Sequence, residues 1–259
     1  MIGIIGCGWL GKPLAIKLQN EGKVILGSCT NEEKLCHIQK EIPNMILLNL
    51  NEEVANLSML ELKKIKTLFI NIPPSKSKSN TYENQIEQLI DFCPNAEKII
   101  FVSSTSVYEN NNQIAVESDV VNGNQSLINA EKLVLSHSPK NTILRYAGLT
   151  GPDRNLARFF AGKDNCNSPH NAVNLIHLTD AVQIAHEFIA NNYEGIYNVC
   201  SPEHPTRELY YTQLCNKMNL PLPLFSENNA EKNKIISSEK LLNDLNYNFA
   251  FPNPLHFTY

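Results

Sequence analysis

Gly6, Gly8 and Gly11 stand at GxGxxG spacing, directly after the apolar run Ile2-Gly3-Ile4-Ile5 and directly before residues 13–18, which read at helical spacing. Between a strand and a helix this spacing binds a dinucleotide. The first glycine allows the turn, the second lets the backbone approach a pyrophosphate, the third lets helix and strand pack closely, and the helix N-terminus adds partial positive charge. Which dinucleotide depends on the end of the next strand, where a carboxylate holds the ribose 2′-hydroxyl of NAD and repels a 2′-phosphate. The chain there reads Leu26-Gly27-Ser28-Cys29-Thr30-Asn31, with carboxylates only from Glu32 and Glu33 onward. Ser28, Thr30 and Asn31 offer hydrogen bonds to a phosphate and Lys34 adds charge, so NADP is expected, with NAD as the alternative. Further on, Arg158 and Lys163 flank Phe159-Phe160. Since arginine meets carboxylate or phosphate bidentately, the pair reads as a clamp on an anionic substrate or, equally, as solvated loop charges. His204 and Arg207 invite the same reading. His170 and His177 form no metal-ligand spacing with nearby acids, so no metal is expected.

The elements that must position these groups follow from hydrophobic patterning. Short, continuously apolar runs at residues 2–5, 24–26, 45–48, 68–70, 99–102 and 142–144 alternate with helical stretches at 13–18, 32–40, 82–92 and 126–136. Strands without polar alternation are buried on both faces, which predicts a parallel sheet, and right-handed crossovers then give a doubly wound α/β (Rossmann) fold. The alternation breaks after Leu144. Strands at 173–176 and 196–199 with a helix from 180 return to the sheet, while the remainder carries short helices at 207–218 and 238–245. The expected division is therefore a dinucleotide-binding domain of residues 1–147 and 173–199, and a smaller substrate lobe of 148–172 and 200–259.

Composition narrows the class. Over 259 residues, 22 Lys and Arg face 26 Asp and Glu for a net charge of −4, which gives no electrostatic reason to expect nucleic acid or a membrane surface as partner. With 42% hydrophobic and 19% charged residues the chain has material for one large core and too little charge for disorder. Seven cysteines, odd in number and without a C-x-x-C pair, suggest neither a disulfide framework nor a zinc site. No apolar run approaches the ~18 residues of a membrane span, and no charged region followed by an apolar one marks a secretory signal. A cytoplasmic protein with a small-molecule substrate is expected; oligomeric state is not legible.

The run Ile99-Ile100-Phe101-Val102-Ser103-Ser104-Thr105-Ser106-Val107-Tyr108 resembles the catalytic-serine strand of the extended short-chain dehydrogenase/reductases, the NAD-dependent epimerase/dehydratase superfamily. The segments 144–152, 175–180 and 196–199 are similar to later parts of that family. Gly8-Trp9-Leu10-Gly11, Arg158-Phe159-Phe160-Ala161-Gly162-Lys163 and Val173-Asn174-Leu175-Ile176-His177 resemble its atypical YeeZ-type subgroup more closely. The resemblance implies that Ser104 hydrogen-bonds the reacting oxygen. It implies cofactor contacts from Gly6, Gly8, Trp9, Leu10, Gly11, Ser28, Thr30, Ile72, Pro73, Ser103, Tyr146 and Ala147, and substrate contacts from Tyr108, Arg158 and Lys163.

Two departures stand out. The glycine turn is GxGxxG where the extended family has GxxGxxG. The family's Tyr-x-x-x-Lys is missing: counted back from Glu131, its positions fall on Gly123 and Leu127. In that mechanism the lysine lowers the tyrosine pKa for proton exchange with the substrate, which neither Gly nor Leu does. His177 is read as a substitute catalyst or as a satisfied structural residue at a strand end, with Tyr108, Tyr146, Glu117 and Glu131 as alternatives. Two functions stay open: an NADP- or NAD-dependent oxidoreductase or epimerase acting on a small polar substrate that can be anionic, or a non-catalytic dinucleotide-binding sensor.

Overall fold

The computed structural model describes residues 1–52, 54–74, 80–138, 140–226 and 232–259. Its first part contains β1 (Ile2–Ile5), α1 (Gly11–Asn20), β2 (Ile25–Cys29), α2 (Glu32–Ile38), β3 (Met45–Leu47), α3 (Asn56–Leu62), β4 (Thr67–Ile70), α4 (Tyr82–Phe92) and β5 (Lys98–Ser104). There follow β6 (Gln113–Ala115), α5 (Gln125–His137), β7 (Thr142–Tyr146), β8 (Gly148–Thr150), β9 (Leu175–His177), α6 (Leu178–Ala190), β10 (Gly195–Val199), α7 (Arg207–Lys217), β11 (Lys234–Ile236) and α8 (Glu239–Leu245).

Seven strands form one parallel sheet in the order β10-β7-β5-β4-β1-β2-β3, the doubly wound arrangement expected from the sequence. The chain starts at β1 in the interior of the sheet, winds outward to β3 and then returns through β4 to β5, β7 and β10. Ile2 pairs with both Ile25 of β2 and Thr67 of β4, and Thr67 pairs in turn with Lys98 of β5. Ile4, Phe69, Ile70, Ile100 and Phe101 are fully buried or nearly so, as helix-covered strands require. Side-chain caps set the helix starts: Asn31 accepts from Lys34 N–H (2.8 Å), Asn124 from Leu127 N–H (3.3 Å) and Thr206 from Leu209 N–H (3.3 Å).

The chain separates into two compact units. Unit 1 comprises Met1–Val107, Asn124–Arg145 and Val182–Ile196; unit 2 comprises Tyr108–Gly123, Tyr146–Ala181 and Tyr197–Tyr259. The segment 108–123, which patterning alone places with the dinucleotide domain, lies in unit 2 because β6 pairs in parallel with β11, Ile114 opposite Ile235. β8 pairs with β9 in the same unit, and an apolar cluster of Ala157, Val173, Leu175, Tyr210, Leu214 and Phe257 forms its core. Asp180, fully buried, accepts hydrogen bonds from Tyr247 Oη (2.8 Å), Ala250 N (2.8 Å) and Phe251 N (2.9 Å), tying the segment after α8 to the start of α6.

Candidate functional site

The glycine turn of unit 1 is shaped by contacts that require glycine at two positions and leave the third open. Gly6 has φ +101°, and a Cβ there would lie 2.3 Å from the carbonyl oxygen of Asn71. A Cβ on Gly11 would lie 2.2 Å from the Gly6 carbonyl oxygen. At Gly8 a Cβ would meet nothing within 4 Å, so the exposed face of that residue is free for a ligand. α1 begins at Gly11 with no side-chain cap and no acid in its first turn; Lys12 N–H donates to Gly8 O (2.9 Å) and Pro13 has no N–H, so what the helix start offers an anion is its partial positive charge. The residues present therefore fit a dinucleotide pyrophosphate.

Two side chains bracket the Gly6 peptide. Its N–H donates to Ser28 Oγ (3.1 Å), and its carbonyl accepts from Asn71 Nδ2 (3.0 Å). Ser28 is 2% exposed and its hydroxyl supports the turn by accepting from Gly6, whereas the sequence suggests a place against a 2′-phosphate. No local sequence signal marks Asn71, whose partner lies 65 residues away. At the end of β2, Thr30 is exposed, Asn31 caps α2 with its side chain, and the Lys34 ammonium lies near enough to offset part of the upward shift that burial imposes on the Cys29 thiol. Trp9 is half-buried and Leu10 is in the core, so only the backbone of Leu10 can serve a ligand. The Ile72 carbonyl accepts from Tyr82 Oη (2.9 Å), and Pro73 is exposed.

At the end of β5, Ser103 is buried and donates to Glu131 Oε1 (2.5 Å), whose carboxylate also receives Arg145 Nε (3.1 and 3.2 Å) and Nη2 (2.7 Å). All three side chains are almost fully buried, so Ser103 and Glu131 brace the sheet and are not free for ligand chemistry. Ser104 is half-buried, and its Oγ accepts from Ser106 N–H (3.1 Å). Leu127 lies on the buried face of α5 and Gly123 precedes the helix, so neither position supplies a titratable group.

Unit 2 corrects several expectations. Tyr108 is buried with its hydroxyl donating to Asn198 Oδ1 (2.8 Å), so it does not reach a substrate. Tyr146 is also buried; its hydroxyl donates to the Ala181 carbonyl (3.0 Å), and burial pushes the phenol far above its ordinary range. Ala147 donates its N–H to Val199 O (3.0 Å), and Glu117 accepts from Asn198 N–H (2.8 Å). His177, 2% exposed, has both ring nitrogens engaged: Nδ1 accepts from Thr179 N–H (3.3 Å) and Nε2 donates to Thr258 O (3.1 Å). The ring packs against Phe251 and Phe257 at centroid distances of 3.9 and 5.3 Å. The fold thus engages the ring with backbone and aromatic neighbours.

Arg158 and Lys163 are exposed near the turn Ala157–Phe159. Phe160 stacks on Tyr211 of α7 at 3.6 Å and 20°, with Lys163 Nζ 5.9 Å and the Arg207 guanidinium carbon 5.7 Å from its centroid. Burial raises the Tyr211 phenol to about 12, against the downward pull of Arg207 beside it. Among the described residues no group of three or more His, Cys, Asp or Glu could hold a metal ion, and no helix is long and apolar enough to cross a membrane.

No protein-family model matches the chain. Protein YeeZ of Escherichia coli (strain K12) is 33% identical over 269 residues, covering 98% of this chain and 97% of the relative. The chain belongs to the same family as protein YeeZ. This family member shares its fold with a functionally unknown conserved protein from Silicibacter pomeroyi DSS, at TM-score 0.80 and 20% identity over 98% of this chain and 95% of the other. It also shares it with MoeE5 in complex with UDP-glucose and NAD, at TM-score 0.78 and 16% identity over 99% and 96%.

His177 gives this YeeZ-type protein a measurable acid sensitivity. Burial lowers its pKa, so the unfolded chain binds the proton more readily; the associated stability is present above the ordinary value of 6.5 and is lost as pH falls below it. The urea midpoint is expected to drop between pH 7.5 and pH 5.5, with a shallower drop in a His177→Gln variant. Equal slopes in the two proteins would refute the assignment.

Proposed function

We propose that this YeeZ-type protein binds a nicotinamide dinucleotide along Gly6–Gly11 and acts as an oxidoreductase or epimerase on a small polar, anionic substrate. The observation that carries the reading is the combination of two glycines locked by backbone contacts with a third, Gly8, whose outward face is empty at an uncapped helix start. When bound, the dinucleotide supplies hydride transfer at its nicotinamide ring. Ser104, at the carboxyl end of β5, has a half-exposed hydroxyl suited to hydrogen-bonding the oxygen that gains or loses charge. Arg158 and Lys163 are proposed as contacts for the anionic group of the substrate.

NADP is proposed over NAD, because the end of β2 offers Thr30 and the Lys34 ammonium and carries no carboxylate before Glu32. The structural neighbour MoeE5 is seen in complex with NAD. Since Ser28 is buried under the turn, the informative substitution is at exposed Thr30. NADP is expected to bind about tenfold tighter than NAD, and Thr30→Asp to reverse the order by repelling the 2′-phosphate. Quenching of Trp9, the single tryptophan, reports both. NAD binding at least as tightly as NADP in the unsubstituted chain would overturn the preference.

A second reading, a dinucleotide-binding sensor without turnover, is favoured by Gly123 and Leu127 and by the engagement of every substitute acid–base that the sequence suggested. Multiple-turnover oxidation of the reduced dinucleotide in the presence of a carbonyl substrate separates the two.

A further inference from the structure

The glycine turn departs from the GxxGxxG spacing at its first member. Counted back from Gly8 and Gly11, that member falls on Ile5, and the bend is made one residue later, at Gly6 with φ +101°. Asn71, the residue after β4, is the hub of this bend. Its N–H donates to Ile5 O (2.8 Å), and its own carbonyl oxygen lies 2.3 Å from where a Cβ on Gly6 would be. Its carboxamide Nδ2 donates to Gly6 O (3.0 Å) and lies 3.2 Å from where a Cβ on Gly11 would be, so the amide fills the crook between the two glycines. The Gly6 carbonyl also accepts from Gly8 N–H (2.8 Å), and two donors therefore hold it on the inner side of the turn. Tyr82 Oη, donating to Ile72 O (2.9 Å), fixes the segment that carries Asn71 against the start of α4.

Glycine imposes little backbone preference of its own, so the peptide after Gly6 is free to rotate unless its neighbours hold it. Rotated outward, its carbonyl oxygen would turn the negative end of the peptide dipole toward an anion beside Gly8. A ligand that binds only the inward arrangement loses apparent affinity in proportion to the fraction of molecules that adopt it. We infer that Asn71 is a positioning residue for the dinucleotide: its carboxamide keeps the Gly6 carbonyl turned away from the pyrophosphate and so adapts the displaced glycine to anion binding. The inference rests on the dinucleotide reading and deepens it with a side chain from another strand, outside the glycine motif.

Quenching of Trp9 by NADP, with circular dichroism and a thermal melt on each sample, tests the role. Asn71→Leu keeps the bulk and removes the donor, and is expected to weaken the dinucleotide about tenfold with unchanged circular dichroism. Asn71→Asp is expected to weaken it about 100-fold at pH 8, because a carboxylate then faces both the Gly6 carbonyl and the anion. That loss, taken relative to the unsubstituted chain at the same pH, is expected to shrink as the pH is lowered to 5.5, since a protonated carboxyl donates to the Gly6 carbonyl as the amide does. Asn71→Leu has no proton to regain and shows no such recovery. A purely structural residue would lower the melting temperature in both variants without the recovery. Asn71→Asp is isosteric, so it keeps the test decisive if Asn71→Leu fails to fold. Dinucleotide binding that both folded variants retain in full, or a loss in Asn71→Asp that does not change with pH, overturns the inference and leaves the dinucleotide reading standing. Absence of binding in the unsubstituted chain is instead a failure of the dinucleotide reading, and this role falls with it.

Discussion

Gly8→Val is expected to fold normally and to lose dinucleotide affinity about 100-fold, or close to 3 kcal/mol, by placing a branched side chain where the pyrophosphate must approach the backbone. The prediction of normal folding rests on space: a Cβ at this position meets nothing within 4 Å, and the residue is exposed. Gly6→Ala is the contrasting control. There φ is +101° and the added carbon would press on the Asn71 carbonyl at 2.3 Å, so the turn must shift and thermal stability falls together with binding. Calorimetry with NADP and a thermal melt on both variants decide the matter. Unchanged affinity in folded Gly8→Val would place the dinucleotide elsewhere and remove the basis of the proposed function.

The second large effect concerns stability. Glu131→Ala leaves the Arg145 guanidinium, whose side chain is 3% exposed, without its carboxylate and leaves the buried Ser103 hydroxyl without its acceptor. Breaking one side of a buried ion pair costs about 3–5 kcal/mol, a large part of the roughly 5–15 kcal/mol that holds a domain together. A steep fall in the urea midpoint is expected. Replacing both partners, as Glu131→Leu with Arg145→Met, recovers much of the loss, because no charge is then stranded. If Glu131→Ala alone melts like the unsubstituted protein, the triad does not brace β5, and Glu131 returns as a candidate for proton transfer.

What the sequence determined on its own was whatever local pattern encodes. Runs such as Ile99–Phe101 and Leu68–Ile70 are apolar on successive residues, so they announce strands buried on both faces; their alternation with helices then leaves a doubly wound parallel sheet. Gly6, Gly8 and Gly11 were legible because a turn between strand and helix makes its demands within six residues, and the long strings shared with the YeeZ-type family were legible as strings. The tertiary structure decided everything that depends on partners distant in the chain. β6, β8 and β11 have three residues each, too few for a period, and exist because of strands far away in sequence. Ser28 looked like a phosphate donor until the fold set its hydroxyl under Gly6. His177, Tyr108 and Glu131 carry the right atoms for catalysis, but Thr258, Asn198 and Arg145 occupy those atoms. Residue type states what a side chain can donate or accept; only the folded chain determines whether a neighbour has already taken it.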